Sequence, residues 1–128
     1  MAKVLVVDDH EDLRGVVREL LEMSGHAVAC ANNVPEARRA MSDADDAGTP
    51  FDVVVADYHM PGENGFEFLR QLAIAKRCLT VLCSGDDNHQ SSAAEAGIDD
   101  FWMKGGDAFF DQVEKLDGRL AMRGAEKQ

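Results

Sequence analysis

No apolar run in this 128-residue sequence approaches the roughly 20 residues that a membrane span requires. The start, Met1-Ala2-Lys3, leads at once into a short apolar run ending in Asp8 and Asp9. A secretory leader needs a longer apolar stretch and a small-residue cleavage site, so none is expected. Proline is scarce, with 3 residues, and glycine stands at 11, which excludes collagen-like and Pro/Gly low-complexity chains. Basic residues are outnumbered 13 to 24, for a formal net charge of −11. Such a surface repels phosphate backbones, so direct nucleic-acid binding is not expected. Cys30, Cys78 and Cys83 are an odd count without paired spacing, which argues against a disulfide framework or a zinc site. Cys30 and Cys83 lie in apolar runs and read as small buried hydrophobes. The expectation is a cytoplasmic, reducing compartment and no membrane insertion.

What is present suffices for one domain with a core: 45% of residues are hydrophobic and 29% charged. Five short apolar runs stand out: Lys3 to Val7, Ala27 to Ala31, Val53 to Ala56, Leu79 to Cys83 and Phe101 to Met103. They do not alternate with polar residues, which predicts strands covered on both faces, as in a parallel sheet. Between them the period becomes helical. Leu13, Val16, Val17, Leu20 and Leu21 form one stripe, with Gly25 as a C-terminal cap. Val34, Ala37, Ala40, Met41 and Ala44 form a second, with Asn33 at the cap and Pro35 in the first turn. Phe68, Leu69, Leu72 and Ala73 form a third. Asp87 to Ala96 is a small-residue fourth helix stopped by Gly97, and Phe109, Val113, Leu116 and Leu120 mark a fifth. Five alternations predict βα units with right-handed crossovers, and Gly124 to Gln128 a frayed tail.

In an open parallel sheet, functional groups gather at the carboxyl ends of the strands. Asp8 and Asp9 follow the first run, Asp57 the third, Ser84 the fourth and Lys104 the fifth. Three carboxylates at one edge call for a cation, and an all-oxygen donor set suits Mg²⁺ before zinc or copper. Asp8 and Asp9 are adjacent and point in different directions, so one is expected to bind metal directly and the other through water. Asp57, alone at the end of the central strand, is the candidate nucleophile toward phosphorus, with Ser84 donating to a phosphoryl oxygen and Lys104 neutralising charge. His10, His26, His59 and His89 lack a metal-ligand spacing and read as solvated side chains. Trp102 reads as a packing residue.

Four segments then carry a specific resemblance. Val4-Leu5-Val6-Val7-Asp8-Asp9 is similar to the acidic opening of bacterial response-regulator receiver domains. Asp57-Tyr58-His59-Met60-Pro61 with Gly65 resembles their D-x-x-M-P-x-x-x-G segment. Ser84-Gly85 resembles the T/S-[AG] element, and Ala96-Gly97 leading to Phe101 and Lys104 resembles A-G-x-x-x-[FY]-x-x-K. The resemblance covers Lys3 to about Leu120. It implies an α/β, flavodoxin-like (βα)5 fold, a doubly wound five-stranded parallel sheet of strand order 2-1-3-4-5, with a receiver domain at 1–123.

It further implies Mg²⁺ on Asp9, Asp57 and the backbone carbonyl of His59, with Asp8 acting through water. Asp57 would accept a phosphoryl group from a histidine kinase or histidine phosphotransfer protein. Lys104 would contact the acyl phosphate, and Ser84 and Phe101 would form the switch pair. The output surface would be the face of the fourth helix, fifth strand and fifth helix. Gly105 departs from the family's usual proline, so the Lys104–Gly105 peptide is expected to be trans.

The leading expectation is a phosphorylation-dependent signalling switch, not an enzyme toward an external metabolite, resembling a stand-alone chemotaxis-type regulator. A receiver excised from a larger regulator or hybrid kinase, and a phosphorylation-independent binding module, are the alternatives. An aspartyl phosphatase would need D-x-D spacing where Asp8-Asp9-His10 stands. A flavin carrier would need a hydroxyl- and glycine-rich loop in place of Asp8-Asp9-His10-Glu11-Asp12.

Overall fold

The computed structural model describes residues 2–60, 62, 64–75, 77–85, 89–103, 111–112 and 115–116. The elements run β1 (Lys3–Val7), α1 (Glu11–Met23), β2 (Ala27–Ala31), α2 (Val34–Asp46), β3 (Val53–Asp57), α3 (Gly65–Ala75), β4 (Leu79–Ser84), α4 (His89–Glu95) and β5 (Asp100–Met103). Asp111, Gln112, Lys115 and Leu116 are also helical and fall where the fifth helix is expected. The rest of that helix, Lys104, the Lys104–Gly105 peptide and the tail at 124–128 lie outside the described residues. Among the described residues no helix is long and apolar enough to cross a membrane.

The strands form one parallel sheet in the order β2-β1-β3-β4-β5. This is the flavodoxin-like arrangement, and chain direction across the sheet reverses between β1 and β3. Pleating sends alternate residues to opposite faces and builds two apolar layers. Leu5, Val7, Val54, Ala56 and Leu82 meet Val34, Ala37, Met41, Phe68, Leu69 and Leu72 of α2 and α3 on one side. Val4, Val6, Val53, Val55, Val81 and Cys83 meet Val17, Leu21, Trp102 and Leu116 on the other. Both faces being covered is why the interiors of β1 and β3 are apolar without alternation and why every residue of β3 and β4 is buried. Trp102 is fully buried and has the expected packing role.

The helix ends follow the sequence signals. Asn33 Oδ1 accepts from the Glu36 backbone N–H at 2.9 Å, and Pro35 occupies the first turn of α2. Gly25 takes φ 91° just beyond the α1 cap, a conformation that costs any other residue strain.

β2 departs from expectation. It is an edge strand, and of its five residues only Ala31 is buried. Cys30 is therefore exposed, a correction to its reading as a buried hydrophobe, whereas Cys78 and Cys83 are buried. The strand termini also move. Asp57 pairs with Cys83 and Ser84 with Met103, so both polar residues are the last rungs of the ladder, not the start of loops.

Candidate functional site

The reversal between β1 and β3 leaves a crevice at their carboxyl ends, the place where open α/β sheets bind ligands. Asp8 continues the ladder beyond β1, its N–H donating to Ala31 O at 3.1 Å. Its carbonyl accepts from Arg14 Nη1 at 2.9 Å, and the same guanidinium reaches Asn32 Oδ1. Its Oδ1 accepts from the His10 backbone N–H at 2.9 Å, which closes a tight turn. Asp8 is buried and Asp9 exposed, as expected for neighbours facing different ways.

Asp57, 3% exposed, ends the central strand. Its position is fixed from two sides. The Tyr58 N–H donates to Cys83 O at 2.9 Å, which ties the chain to β4. Gly65, the first residue of α3, abuts the Asp57 backbone so closely that a Cβ there would lie 1.9 Å from its carbonyl oxygen. Asn64 Oδ1 caps α3 by accepting from Glu67 N–H at 2.9 Å.

One ligand atom from each of Asp8, Asp9, His10 and Asp57 falls within 4.8 Å of the others. His10 Nδ1 lies 3.4 Å from Asp8 Oδ1 and 3.1 Å from Asp9 Oδ1, so this imidazole turns onto the acids although it is 68% exposed. Three carboxylates and one imidazole form a predominantly oxygen donor set, which fits a hard divalent cation. A cleft of about 370 Å³, lined by Asp9, His10, Tyr58, His59, Met60 and Asn64, opens beside it.

Ser84 is fully buried at the end of β4, and its Oγ lies 2.8 Å from His89 Nδ1. The His89 ring stacks on Tyr58, 3.7 Å between centroids and 7° from parallel, with His59 edge-on at 5.5 Å. Phe101 pairs with Leu82 and packs, half-buried, against the α2/α3 layer. The structure thus gathers Asp8, Asp9 and Asp57, and places Ser84 on the adjoining strand end.

Two histidines overturn the solvated reading. His26 is buried at the opposite end of the sheet, where its Nδ1 accepts from Ala2 N–H at 3.1 Å. His89 is half-buried and engaged on both ring face and edge. The only signal for His89 is its place five residues after Ser84, where a helix can bring the chain back over the strand end.

A family model for the response regulator receiver domain matches residues 4–109. The transcriptional regulatory protein AruR of Pseudomonas aeruginosa is 30% identical over 104 residues, 80% of this chain and 43% of that protein. The sensory/regulatory protein RpfC of Xanthomonas campestris is 43% identical over 72 residues, 56% of this chain and 9% of that protein. The chain thus spans less than half the length of these curated relatives. Among solved structures, the Thermotoga maritima response regulator TrrA, in complex with Mg²⁺-BeF, is 25% identical with a TM-score of 0.77. The alignment covers 94% of this chain and 99% of that one. A CheY-like receiver from Methanospirillum hungatei, 21% identical, shows the same fold with a TM-score of 0.82 over 98% of both chains. Receiver domains are signalling switches of two-component systems that bind Mg²⁺ at an acidic pocket. With its sheet order, its carboxylate cluster and the match over 4–109, this chain belongs to the response regulator receiver domain family.

Proposed function

We propose that this receiver takes a phosphoryl group on Asp57 from a histidine kinase or a histidine phosphotransfer protein and thereby changes which partner it binds. One observation carries the reading: the Asp57 carboxylate ends the central strand within 4.8 Å of ligand atoms of Asp8, Asp9 and His10. Asp9, Asp57 and the His59 backbone carbonyl would hold Mg²⁺ directly, and Asp8 through water. When bound, the ion neutralises negative charge that the carboxylates and a phosphoryl group would otherwise concentrate at one point.

In the transfer, an Asp57 carboxylate oxygen forms a bond to phosphorus while the phosphorus–nitrogen bond of the donor histidine breaks. The leaving imidazole keeps that electron pair and takes up a proton. Ser84 donates to a phosphoryl oxygen and Lys104 contacts the acyl phosphate. Phe101 repacks with Ser84 as the switch pair. Hydrolysis restores the carboxylate: water attacks phosphorus and inorganic phosphate leaves. The domain assists only these reactions of its own aspartate.

The output partner would meet the face of α4, β5 and the fifth helix, with the receiver at 1–123 and 124–128 as its tail. The acidic composition favours a protein partner in the cytoplasm over nucleic acid. The lengths of the relatives favour a second reading, in which the same receiver is one module of a longer regulator or hybrid kinase.

Incubation with acetyl phosphate and Mg²⁺ tests the reading by mass spectrometry. The native chain should gain one base-labile phosphoryl group and Asp57→Asn none. Equal labelling of the variant would remove Asp57 from the role.

A further inference from the structure

Ser84 belongs to a motif that marks the family in this sequence, but its partner His89 lies outside all four. Their contact joins the last residue of β4 to the first residue of α4. Ser84 Oγ carries one proton and can aim it at one acceptor at a time. A phosphoryl group on Asp57 would present oxygens that require that proton, yet in this structure Oγ lies 2.8 Å from His89 Nδ1. The imidazole is itself held. Its face rests parallel on Tyr58 at 3.7 Å, and Tyr58 is the residue after Asp57, tied by its N–H to Cys83 O, one residue before Ser84. The ring is thereby clamped between the two strand ends that phosphoryl chemistry joins.

We propose that His89 is a positioning residue: its Nδ1 accepts the Ser84 hydroxyl proton in the unphosphorylated chain, and a phosphoryl group on Asp57 must draw that hydroxyl away. This assigns the ring proton to Nε2. It gives the start of α4 a direct link to the chemistry, because giving up the bond frees the first residue of that helix from β4. His89 thus acts as a brake on switching, and its cost is one net hydrogen bond, equivalent to at most about tenfold in an equilibrium. The inference rests on the Asp57 reading above.

Three variants separate the hydrogen bond from the stack. His89→Phe keeps a ring on Tyr58 and loses Nδ1, His89→Asn returns a polar atom near the Nδ1 position, and His89→Ala removes both. Binding of beryllofluoride with Mg²⁺, the probe for the phosphoryl state, is read by calorimetry. His89→Phe should bind it up to about tenfold more tightly than the native chain, and His89→Asn should return toward the native value. Imidazole nitrogen NMR of the native chain should show His89 Nδ1 as an unprotonated acceptor. That signal should shift on adding beryllofluoride, and in Ser84→Ala without it, while His26 stays put. A His89→Phe affinity equal to or below native, or a protonated Nδ1 in the free chain, would overturn the brake. A native chain that binds no beryllofluoride would instead overturn the Asp57 reading and the brake with it.

Discussion

The backbone of Asp57 leaves no room for a side chain at Gly65: a Cβ there would sit 1.9 Å from the Asp57 carbonyl oxygen and 2.8 Å from its carbon. Both obstructing atoms are main chain, so no rotamer change relieves the clash. Either α3 moves outward or the end of β3 is displaced. Gly65→Ala should therefore lose about 1–3 kcal/mol of stability in urea titration, as overpacked sites do. Its Mg²⁺ affinity should fall as well, because Asp57 moves with its backbone. A variant of native stability would show that the start of α3 yields at little cost.

Asp9 and His10 both border the acidic pocket, yet their donor atoms differ in kind. Mg²⁺ prefers carboxylate oxygen and dehydrates reluctantly, whereas imidazole suits later transition ions. By calorimetry, Asp9→Asn should weaken Mg²⁺ binding by at least about tenfold. His10→Ala should change it little, although Nδ1 lies only 3.1 Å from Asp9 Oδ1. Loss of Mg²⁺ binding in His10→Ala, with binding retained in Asp9→Asn, would contradict the assignment of the oxygen ligands.

Cys30 is exposed while Cys78 and Cys83 are buried, so one thiol should be modified in the native chain. Local desolvation pushes the Cys30 thiol up from its ordinary range, and Arg18 and Arg14 pull it partly back. The thiolate is the nucleophile, so a raised value means less of it at neutral pH. Alkylation should be slow there and keep accelerating as pH rises past the ordinary thiol range. Mass spectrometry should locate the label at Cys30, with the other two reacting only on unfolding. Two labels in the folded chain would contradict the burial of Cys78 or of Cys83.

The cysteines also show what the sequence can and cannot disclose. β1 and β2 begin and end where the apolar runs do, because hydrophobic period is a local property. Whether a run is covered depends on its place in the sheet. Nothing within Ala27 to Ala31 says that β2 lies at an edge; only the strand order implied by the resemblance does, and from its run alone Cys30 reads as buried. Asp8, Asp9, Asp57 and Ser84 were legible because each ends an apolar run, and the carboxyl edge of a parallel sheet collects such residues. His26 and His89 were not. Their surroundings come from Ala2 and from Ser84 and Tyr58, contacts that no periodicity encodes.

Acids at the other edge of the same sheet serve structure, and they offer a control for the site. Asp99 Oδ2 accepts from Thr80 N–H at 2.8 Å and from Thr80 Oγ1 at 3.0 Å. The Asp99 N–H donates back to Thr80 Oγ1 at 3.1 Å. Asp52 does the same work beside β1, its Oδ2 accepting from Lys3 N–H at 2.9 Å. These carboxylates satisfy backbone donors where strands begin, and Thr80 is fully buried, so its groups have no water to replace the lost partner. Asp99→Ala should cost about 1–3 kcal/mol of stability. Asp99→Asn, which keeps an accepting oxygen, should lose less. Because Asp99 precedes β5 and the pocket lies beyond the opposite ends of the strands, Mg²⁺ affinity of the folded variant should match that of the native chain. Urea titration and calorimetry on the same samples decide it. A fall in Mg²⁺ affinity as large as that of Asp9→Asn would mean that the two edges of the sheet are coupled, and that acid position alone does not separate structural from functional carboxylates.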